Sequence, residues 1–150
     1  MEIILSKSYE INNLVSRTGQ FSSTEFPVIV NDFINEFREV AVKNGELVIS
    51  TTKAVQIVND EQILSVEIYL PILYRIPIKK PYTYKNKLKL CNALYAKVED
   101  VSKLHDAMME TNQYIIDKNI QPITSAYLIQ TKQNSCPCVE IYIGINPNIL

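Results

Sequence analysis

Two similar five-residue stretches each place a glutamate two residues before a tyrosine. They are Val66-Glu67-Ile68-Tyr69-Leu70 and Val139-Glu140-Ile141-Tyr142-Ile143. Side chains alternate between the two faces of a β-strand, so each glutamate would share a face with its tyrosine while the aliphatic residues occupy the other face. We therefore expect two strands that bury an aliphatic face and present a carboxylate beside a phenol on the other.

A carboxylate beside tyrosine rings is suited to binding a cation, because it neutralises the ligand's charge while the ring faces add a cation–π attraction of about 0.5 to 2 kcal/mol. This chemistry predicts Glu140 as a ligand contact. The other predicted ligand-binding residues are Tyr142, Glu67, Tyr69, Tyr95 and Tyr127. Two alternatives stay open: the glutamates are solvated residues of ordinary amphipathic strands, or a buried glutamate is a general base with a tyrosine as proton donor.

Few other residues could carry chemistry. The single histidine, His105, lies beside the apolar stripe of a predicted helix and is interpreted as a surface or packing residue. Cys136-Pro137-Cys138 resembles the start of a metal or redox site, but two thiols and one distant histidine fall short of four zinc ligands. No serine–histidine pairing is visible, and the three glycines form no phosphate-binding loop. We predict no catalytic residue, no metal and no cofactor.

The composition indicates one folded domain. The 150 residues are 47% hydrophobic with 15 basic and 16 acidic residues, which excludes disorder and argues against a general polyanion binder. Neither end shows a signal pattern, and no apolar run approaches the roughly 20 residues that span a bilayer. We expect a soluble, cytoplasmic monomer or homodimer with reduced thiols and no membrane contact.

One tract is strongly charged. Residues 75–97 contain seven basic residues, no acidic residue and several tyrosines. The tract is interpreted either as a solvated connection between two halves of the chain or as a surface for an acidic protein or single-stranded nucleic acid. The residues predicted to contact a partner are Arg75, Lys79, Lys80, Tyr82, Tyr84 and Lys85. Duplex DNA is not expected as a partner, because the tract is broken by prolines and the chain has a net charge of −1.

The first half of the chain has the pattern strand, helix, strand, strand. An extended segment at 1–15 precedes a helix predicted over 25–44, whose apolar residues recur every three or four positions after a run of capping residues. Two antiparallel strands are predicted at 53–59 and 65–72.

The second half repeats this order. It has an extended segment at 82–98, a helix from about Val101 to Lys118 whose buried stripe includes Val101, and closing strands at 123–131 and 138–145. The predicted fold is α+β, with duplicated strand–helix–strand–strand units forming a pseudo-twofold curved antiparallel sheet, two helices on one face and a central cleft. The half-repeats would span about 1–73 and 82–146.

With these elements placed, the chain resembles the GyrI-like family, the effector-binding domain also found at the end of some bacterial multidrug-sensing transcription activators. The matching segments are residues 15–21, the helix end at 44–45, and residues 66–71, 119–122 and 139–143. The resemblance covers nearly the whole chain and implies one domain over 1–150 with an aromatic-lined cleft into which Glu140 reaches. It therefore makes Glu140 the leading predicted ligand contact. Some members bind cationic or amphipathic drugs, others inhibit DNA gyrase, and a few are hydrolases.

The chain departs from the family pattern in three places. Glu99-Asp100-Val101 stands where the family often has glycine and an aromatic residue, there is no tryptophan, and Gly144 replaces the proline seen as Pro71 in the first copy. Because the chain begins directly with its first strand, we expect a stand-alone member. Two functions follow: a non-catalytic module that binds a cationic or amphipathic small molecule, or alternatively a protein-interaction module, such as an inhibitor, immunity protein or chaperone for a bacterial toxin or enzyme.

Overall fold

The computed structural model describes residues 2–42, 46–133 and 136–146, with side chains in all of these except 131–133 and 136–137. Within these residues, two α-helices and seven strands with antiparallel pairings make an α+β fold, which confirms the predicted class. A single 3-10 turn, Val101–Lys103, leads into the second helix. In chain order the elements are β1 (Ile3–Ser22), α1 (Phe26–Glu36), β2 (Leu47–Thr51), β3 (Gln56–Val58), β4 (Glu61–Pro71), β5 (Tyr82–Val98), α2 (Leu104–Asp117), β6 (Pro122–Gln133) and β7 (Cys136–Ile145).

The chain divides into two compact units, and the boundaries fall inside β1 and β5. The Glu67 unit comprises residues 11–88, and the Glu140 unit comprises residues 1–10 and 89–150. In the Glu67 unit, β4 pairs with both β1 and β2. In the Glu140 unit, β7 pairs with both β5 and β6 in the same way. The repeated order is therefore present in the structure, whereas the half-repeat boundaries, the near-twofold symmetry and the central cleft stay predictions.

The core of the Glu67 unit forms between β4 and α1. Val66, Ile68 and Leu70 on one face of β4 are buried, as the alternation predicted. Phe33 is fully buried and is the buried residue of α1. Its ring centroid lies 5.5 Å from that of Tyr82 at the start of β5, so α1 and β5 pack through aromatic contacts.

The core of the Glu140 unit forms between β7 and α2. Its central side chains are Val139, Ile141 and Ile143 on β7, which pack in one cluster with Ala107 of α2. The predicted buried stripe of the helix was wrong at Val101, which is 40% exposed. The reason is that Val101 begins the 3-10 turn ahead of α2 and so does not follow the period of that helix.

Helix α1 begins as predicted but ends early. Ser22 Oγ accepts a hydrogen bond from the Glu25 backbone N–H, and Glu25 Oε1 accepts one from the Ser22 N–H, which is the reciprocal pattern of a capping box. The helix stops at Glu36 and a turn follows over residues 37–40. Phe37 and Val40 still pack against the core, so the apolar period marked burial beyond the helical residues. The predicted helix end at 44–45 lies outside the described residues.

The predicted strand at 53–59 was largely wrong. The strand that pairs with β4 over four residues is β2, Leu47–Thr51, and only Gln56–Val58 of the predicted segment forms a strand. Leu47 to Ser50 are all buried, so β2 lacks the alternation that identifies a half-exposed strand. In contrast, β3 lies at an edge of its ladder, and its Ile57 is 73% exposed.

Strand β1 extends to Ser22, beyond the predicted end at residue 15. Ser6 and Asn13 have positive φ angles of 63° and 57°, so the polar interruptions are local irregularities within one long strand. Of the helices in the described ranges, none combines the length and the apolarity needed to cross a membrane.

Gly144 has a structural reason to differ from Pro71. Its backbone N–H donates to Thr124 Oγ1 at 2.8 Å, a bond that proline cannot make. A Cβ atom at this position would lie 2.8 Å from Thr124 Cγ2. The close approach of β6 to β7 therefore requires both the small size of glycine and its N–H group.

Candidate functional site

Three tyrosines from three other strands surround Tyr142 in the Glu140 unit. Tyr95 of β5 and Tyr127 of β6 lie directly opposite Tyr142 in the two ladders. The ring centroids of Tyr95 and Tyr9 each lie 5.0 Å from that of Tyr142. We call Tyr9, Tyr95, Tyr127 and Tyr142 the tyrosine cluster. The structure thus brings together three tyrosines predicted from the sequence and adds Tyr9, which was missed.

Glu140 is half-buried beside this cluster and is hydrogen-bonded to one of its tyrosines. Its Oε2 atom accepts a hydrogen bond from the Tyr95 hydroxyl at 2.5 Å. Lys97 stands opposite Glu140 in the β5–β7 ladder, and Lys7 Nζ lies 4.8 Å from the centroid of the Tyr95 ring. The open alternative of a purely solvated carboxylate therefore does not describe Glu140, because the carboxylate holds the Tyr95 phenol in place.

The hydrogen bond affects the ionisation of Tyr95. Burial raises the pKa of its hydroxyl well above the ordinary value, and the hydrogen bond to Glu140 and the charge of that carboxylate raise the pKa further. Tyr95 consequently keeps its proton, and remains a hydrogen-bond donor, at alkaline pH values at which an ordinary tyrosine loses it.

Unfolding free energy should decline as the pH rises above about 10, because the unfolded chain loses the Tyr95 proton there while the folded state retains it. The contribution of Tyr95 is fully present below this pH and is lost as the pH rises through the higher folded-state pKa. The substitution Tyr95→Phe removes the titrating group, so its stability should fall less steeply than that of the wild type in guanidinium unfolding measured from about pH 8 to about pH 11. Parallel curves for the two proteins would contradict the effect, and Glu140→Gln should reduce the slope in the same direction as Tyr95→Phe.

A groove of about 670 Å³ opens beside Tyr95 within the Glu140 unit. Its apolar wall is formed by Ile4, Val98 and Ala107 together with Tyr95. The charged lining residues are Glu2, Glu99, Asp100, Asp106 and Glu110, against Lys97 and Lys103. We call it the Tyr95 groove; its volume is in the range of small-molecule sites, and acidic groups outnumber basic ones.

Glu140 is not among the described residues that line this groove. Its carboxylate accepts a hydrogen bond from the Tyr95 hydroxyl, and Tyr95 lines the groove. Glu140, the leading predicted contact, is therefore connected to the groove wall through Tyr95. The groove carboxylates were not predicted from the sequence. Glu2 precedes β1, and the other four belong to the segment before α2 and to the exposed side of that helix, where acidic residues are common.

The corresponding pair in the Glu67 unit has a different environment. The Tyr69 hydroxyl donates to Glu67 Oε1, and Lys85 Nζ lies 3.8 Å from Glu67 Oε2 and 5.0 Å from the centroid of the Tyr69 ring. The ladder neighbours of Tyr69 are Ser16 and Val48, where Tyr142 has two tyrosines. Here a lysine of the chain occupies the position that a ligand cation would take at both the carboxylate and the ring.

The residues predicted to contact a partner fall into separate groups. Arg75, Lys79 and Lys80 are exposed, and Tyr82 and Tyr84 are half-buried. Lys85 belongs with Glu67 and Tyr69 as described above.

The remaining candidates carry no site in the described part of the chain. His105 and Cys91 are exposed and Cys138 is buried, whereas the side chain of Cys136 lies outside the described residues. Among the side chains described, no three histidine, cysteine or acidic residues are grouped so that they could hold a metal ion.

Comparison with known proteins identifies the fold. No protein-family model matches the chain, and no curated protein matches it in sequence. Among solved structures, the isolated C-terminal domain of EcmrR matches with a TM-score of 0.67 at 10% identity, over 97% of this chain and 99% of that one. A candidate bacterial transcription regulation protein from Staphylococcus aureus MU50 matches with a TM-score of 0.55 at 12% identity, again over 97% and 99%.

Full-length EcmrR shows the same likeness within a larger chain. In its complex with DNA, EcmrR matches with a TM-score of 0.71 at 12% identity over 97% of this chain. The present chain spans 57% of the length of that EcmrR chain. At these identities the likeness is one of fold, and it agrees with the GyrI-like resemblance of the sequence.

Proposed function

We propose that this chain is a ligand-binding module that takes a cationic, amphipathic small molecule in the Tyr95 groove. The observation that carries the proposal is the double role of Tyr95, which lines the groove and is held by the Glu140 carboxylate. The fold shared with the C-terminal domain of EcmrR agrees with the GyrI-like resemblance of the sequence, which implies a ligand-binding module in general. The charged and apolar residues that line the groove narrow the expected ligand to a cationic, amphipathic molecule.

The charges of the groove favour a cation. Five carboxylates and two lysines line it, so the local charge is negative although the chain as a whole carries only −1. A ligand cation near Asp106 and Glu110 would gain Coulomb attraction that is strengthened by the apolar wall. The apolar part of the ligand would lie against Ile4, Val98 and Ala107.

Glu140 is proposed to position Tyr95 and to add negative potential behind its ring. A phenol that donates to a carboxylate has a more electron-rich ring, which favours a cation at the ring face. Lys7 already lies 4.8 Å from the centroid of this ring. A ligand cation would therefore replace Lys7 at this ring, or it would bind the groove carboxylates while Lys7 remains.

The lipophilic cation benzyltributylammonium should raise the melting temperature of the wild-type protein, because a ligand that binds only the folded state stabilises it. We expect Asp106→Asn combined with Glu110→Gln to weaken binding about tenfold or more, since two charges next to the ligand are lost. Glu140→Gln should weaken binding by a smaller factor, because it acts through Tyr95. Isothermal titration calorimetry gives the dissociation constants.

The repeat supplies a matched control. Glu67→Gln removes the same type of carboxylate from the same type of tyrosine bond in the Glu67 unit and should leave the dissociation constant unchanged. An uncharged analogue of the probe should bind more weakly than the cation. Equal losses in Glu67→Gln and Glu140→Gln, or equal binding of the uncharged analogue, would refute the Tyr95 groove as a cation site.

A further inference from the structure

A second groove, of about 600 Å³, lies in the Glu67 unit along the segment that connects β4 to β5. The segment is held at both ends, because Leu73 N–H donates to the Val40 carbonyl at 2.8 Å and Tyr82 N–H donates to the Lys79 carbonyl at 3.0 Å. The lining residues are Arg75, Ile76, Pro77, Ile78, Lys80, Tyr82, Thr83 and Tyr84. We call it the Arg75 groove; ligand binding in the Tyr95 groove does not involve any of its residues.

The tyrosine rings of this groove already contact other side chains of the protein. The guanidinium carbon of Arg75 lies 4.6 Å from the centroid of the Tyr84 ring, and the Tyr84 hydroxyl donates to Asn13 Oδ1 at 2.6 Å. The Tyr82 ring packs edge-on against Phe37 at 4.9 Å and also contacts Phe33. Single-stranded nucleic acids are bound by stacking bases on open ring faces, which these contacts restrict.

The Tyr84 ring instead contacts a cation of the groove, Arg75. A guanidinium that lies on a tyrosine ring keeps its N–H groups at its edge, where their fork matches the two oxygens of a carboxylate. Arg75, Lys79 and Lys80 are exposed within a tract that contains no acidic residue from 75 to 97. The Arg75 groove therefore offers preorganised positive charge to carboxylates.

The groove also has apolar walls. Ile76 and Ile78 are half-buried in it, and Leu73 and Tyr74 beside it are 58% and 57% exposed. Phosphate backbones have no complement for such walls, whereas a peptide can present carboxylates and an apolar side chain together. The combination of basic side chains and apolar walls favours a protein partner over a polyphosphate.

We propose that the Arg75 groove docks an extended acidic segment of a partner protein, with carboxylates on Arg75 and Lys80 and an apolar side chain against Ile76 and Ile78. Charge complementarity selects this occupant, since the groove is basic on a chain whose net charge is −1. Attraction between opposite charges would also speed the association.

The test uses the full chain and a fluorescein-labelled synthetic peptide of alternating glutamate and leucine with one phenylalanine, measured by fluorescence anisotropy. The medium has an ionic strength of about 0.15 M, where charges more than about 8 Å apart are largely screened. The peptide should bind, and its counterpart with glutamine for glutamate should bind about tenfold more weakly or worse. Thymidine oligonucleotides of equal charge should bind more weakly than the acidic peptide.

Two variants test the residues. Lys79→Glu combined with Lys80→Glu should weaken peptide binding about tenfold or more and slow the association, while Arg75→Lys, which keeps the charge but loses the planar fork, should weaken it by a smaller factor. Lys53→Glu combined with Lys118→Glu changes the net charge equally outside the groove and should have no comparable effect. Circular dichroism establishes that each variant is folded, and Arg75→Lys gives the smallest structural change.

Several results would overturn the proposal. They are no detectable binding of the acidic peptide, equally tight binding of its glutamine counterpart, and equal losses in the two charge-reversal pairs. Equal or tighter binding of the thymidine oligonucleotide would assign the groove to single-stranded nucleic acid.

Discussion

Replacing Phe33 with alanine should lower the free energy of unfolding by about 3 to 5 kcal/mol. Phe33 is fully buried, and its ring centroid lies 5.7 Å from that of Phe37 and 5.5 Å from that of Tyr82. The substitution removes the buried side chain of α1 and leaves a cavity between the helix and β5, which neighbouring rings can fill only in part. Denaturation in urea, followed by far-ultraviolet circular dichroism, measures the loss.

The same helix provides the control. Val28 is 58% exposed, so Val28→Ala should change the free energy of unfolding by no more than about 0.5 kcal/mol. Similar losses in both variants would mean that helix formation, and not packing by Phe33, limits the stability.

Tyr142→Ala should also cost about 3 to 5 kcal/mol of unfolding free energy. Tyr142 is 5% exposed, and the rings of Tyr9 and Tyr95 pack against it from two strands. Each aromatic pair contributes about 0.5 to 1.5 kcal/mol beyond the buried area, so the tyrosine cluster loses both pairs at once. The loss is measured by guanidinium unfolding, and near-ultraviolet circular dichroism reports the change in the environment of the remaining tyrosines.

Tyr142→Phe is the matched substitution, because it keeps the ring and its two contacts. Its loss of unfolding free energy should be clearly smaller than that of Tyr142→Ala. If the two variants lose the same amount, the ring contacts contribute little and the hydroxyl group determines the stability at this position.

The alternation in the two glutamate-containing stretches predicted their structure well. Val66, Ile68 and Leu70 are buried in one unit and their counterparts on β7 in the other, because every second residue of a strand lies on the same face. The alternation did not show that Tyr69 and Tyr142, on the opposite face, are also buried, at 2% and 5% exposure. The bounds of β5, Tyr82–Val98, were also predicted correctly. The secondary structure of such strongly alternating or extended segments can therefore be predicted from the local sequence.

Other elements depend on tertiary contacts that local sequence does not show. Leu47–Thr51 is buried at four of its five residues, so it lacks the alternating period, while residues 53–55, the first part of the strand predicted at 53–59, form no strand. Phe37 continues the helical period of α1 although it lies in a turn. At Phe37 the apolar period indicated burial correctly and the type of element incorrectly. In the segment predicted at 53–59, Val55 and Ile57 are 52% and 73% exposed, so the apolar residues there did not indicate burial.

The partners of the candidate site residues were the least predictable part. Lys7 and Tyr9 approach Tyr95 and Tyr142, and Lys85 approaches Glu67, from strands far away in the sequence. The spacing of Lys7 and Tyr9, two residues apart on one strand, indicates that they share a face but not what that face meets. Only the strand order and register supply that information.

The way in which the two glutamate-containing strands, β4 and β7, pair with their neighbours also affects how fast the chain folds. β4 and β7 each have one neighbour that is close in sequence, β3 and β6. On the other side Leu14 pairs with Pro71, and Ala93 pairs with Gly144, so each central strand obtains this second neighbour only after a long stretch of chain has closed into a loop. Closing such loops costs conformational entropy before the pairing returns any stability, and folds dominated by such contacts reach the native state in milliseconds to seconds, where helical bundles take microseconds to milliseconds. During that delay β4 and β7, which carry Glu67 and Glu140, have apolar faces exposed to other chains, so folding yield should depend on protein concentration.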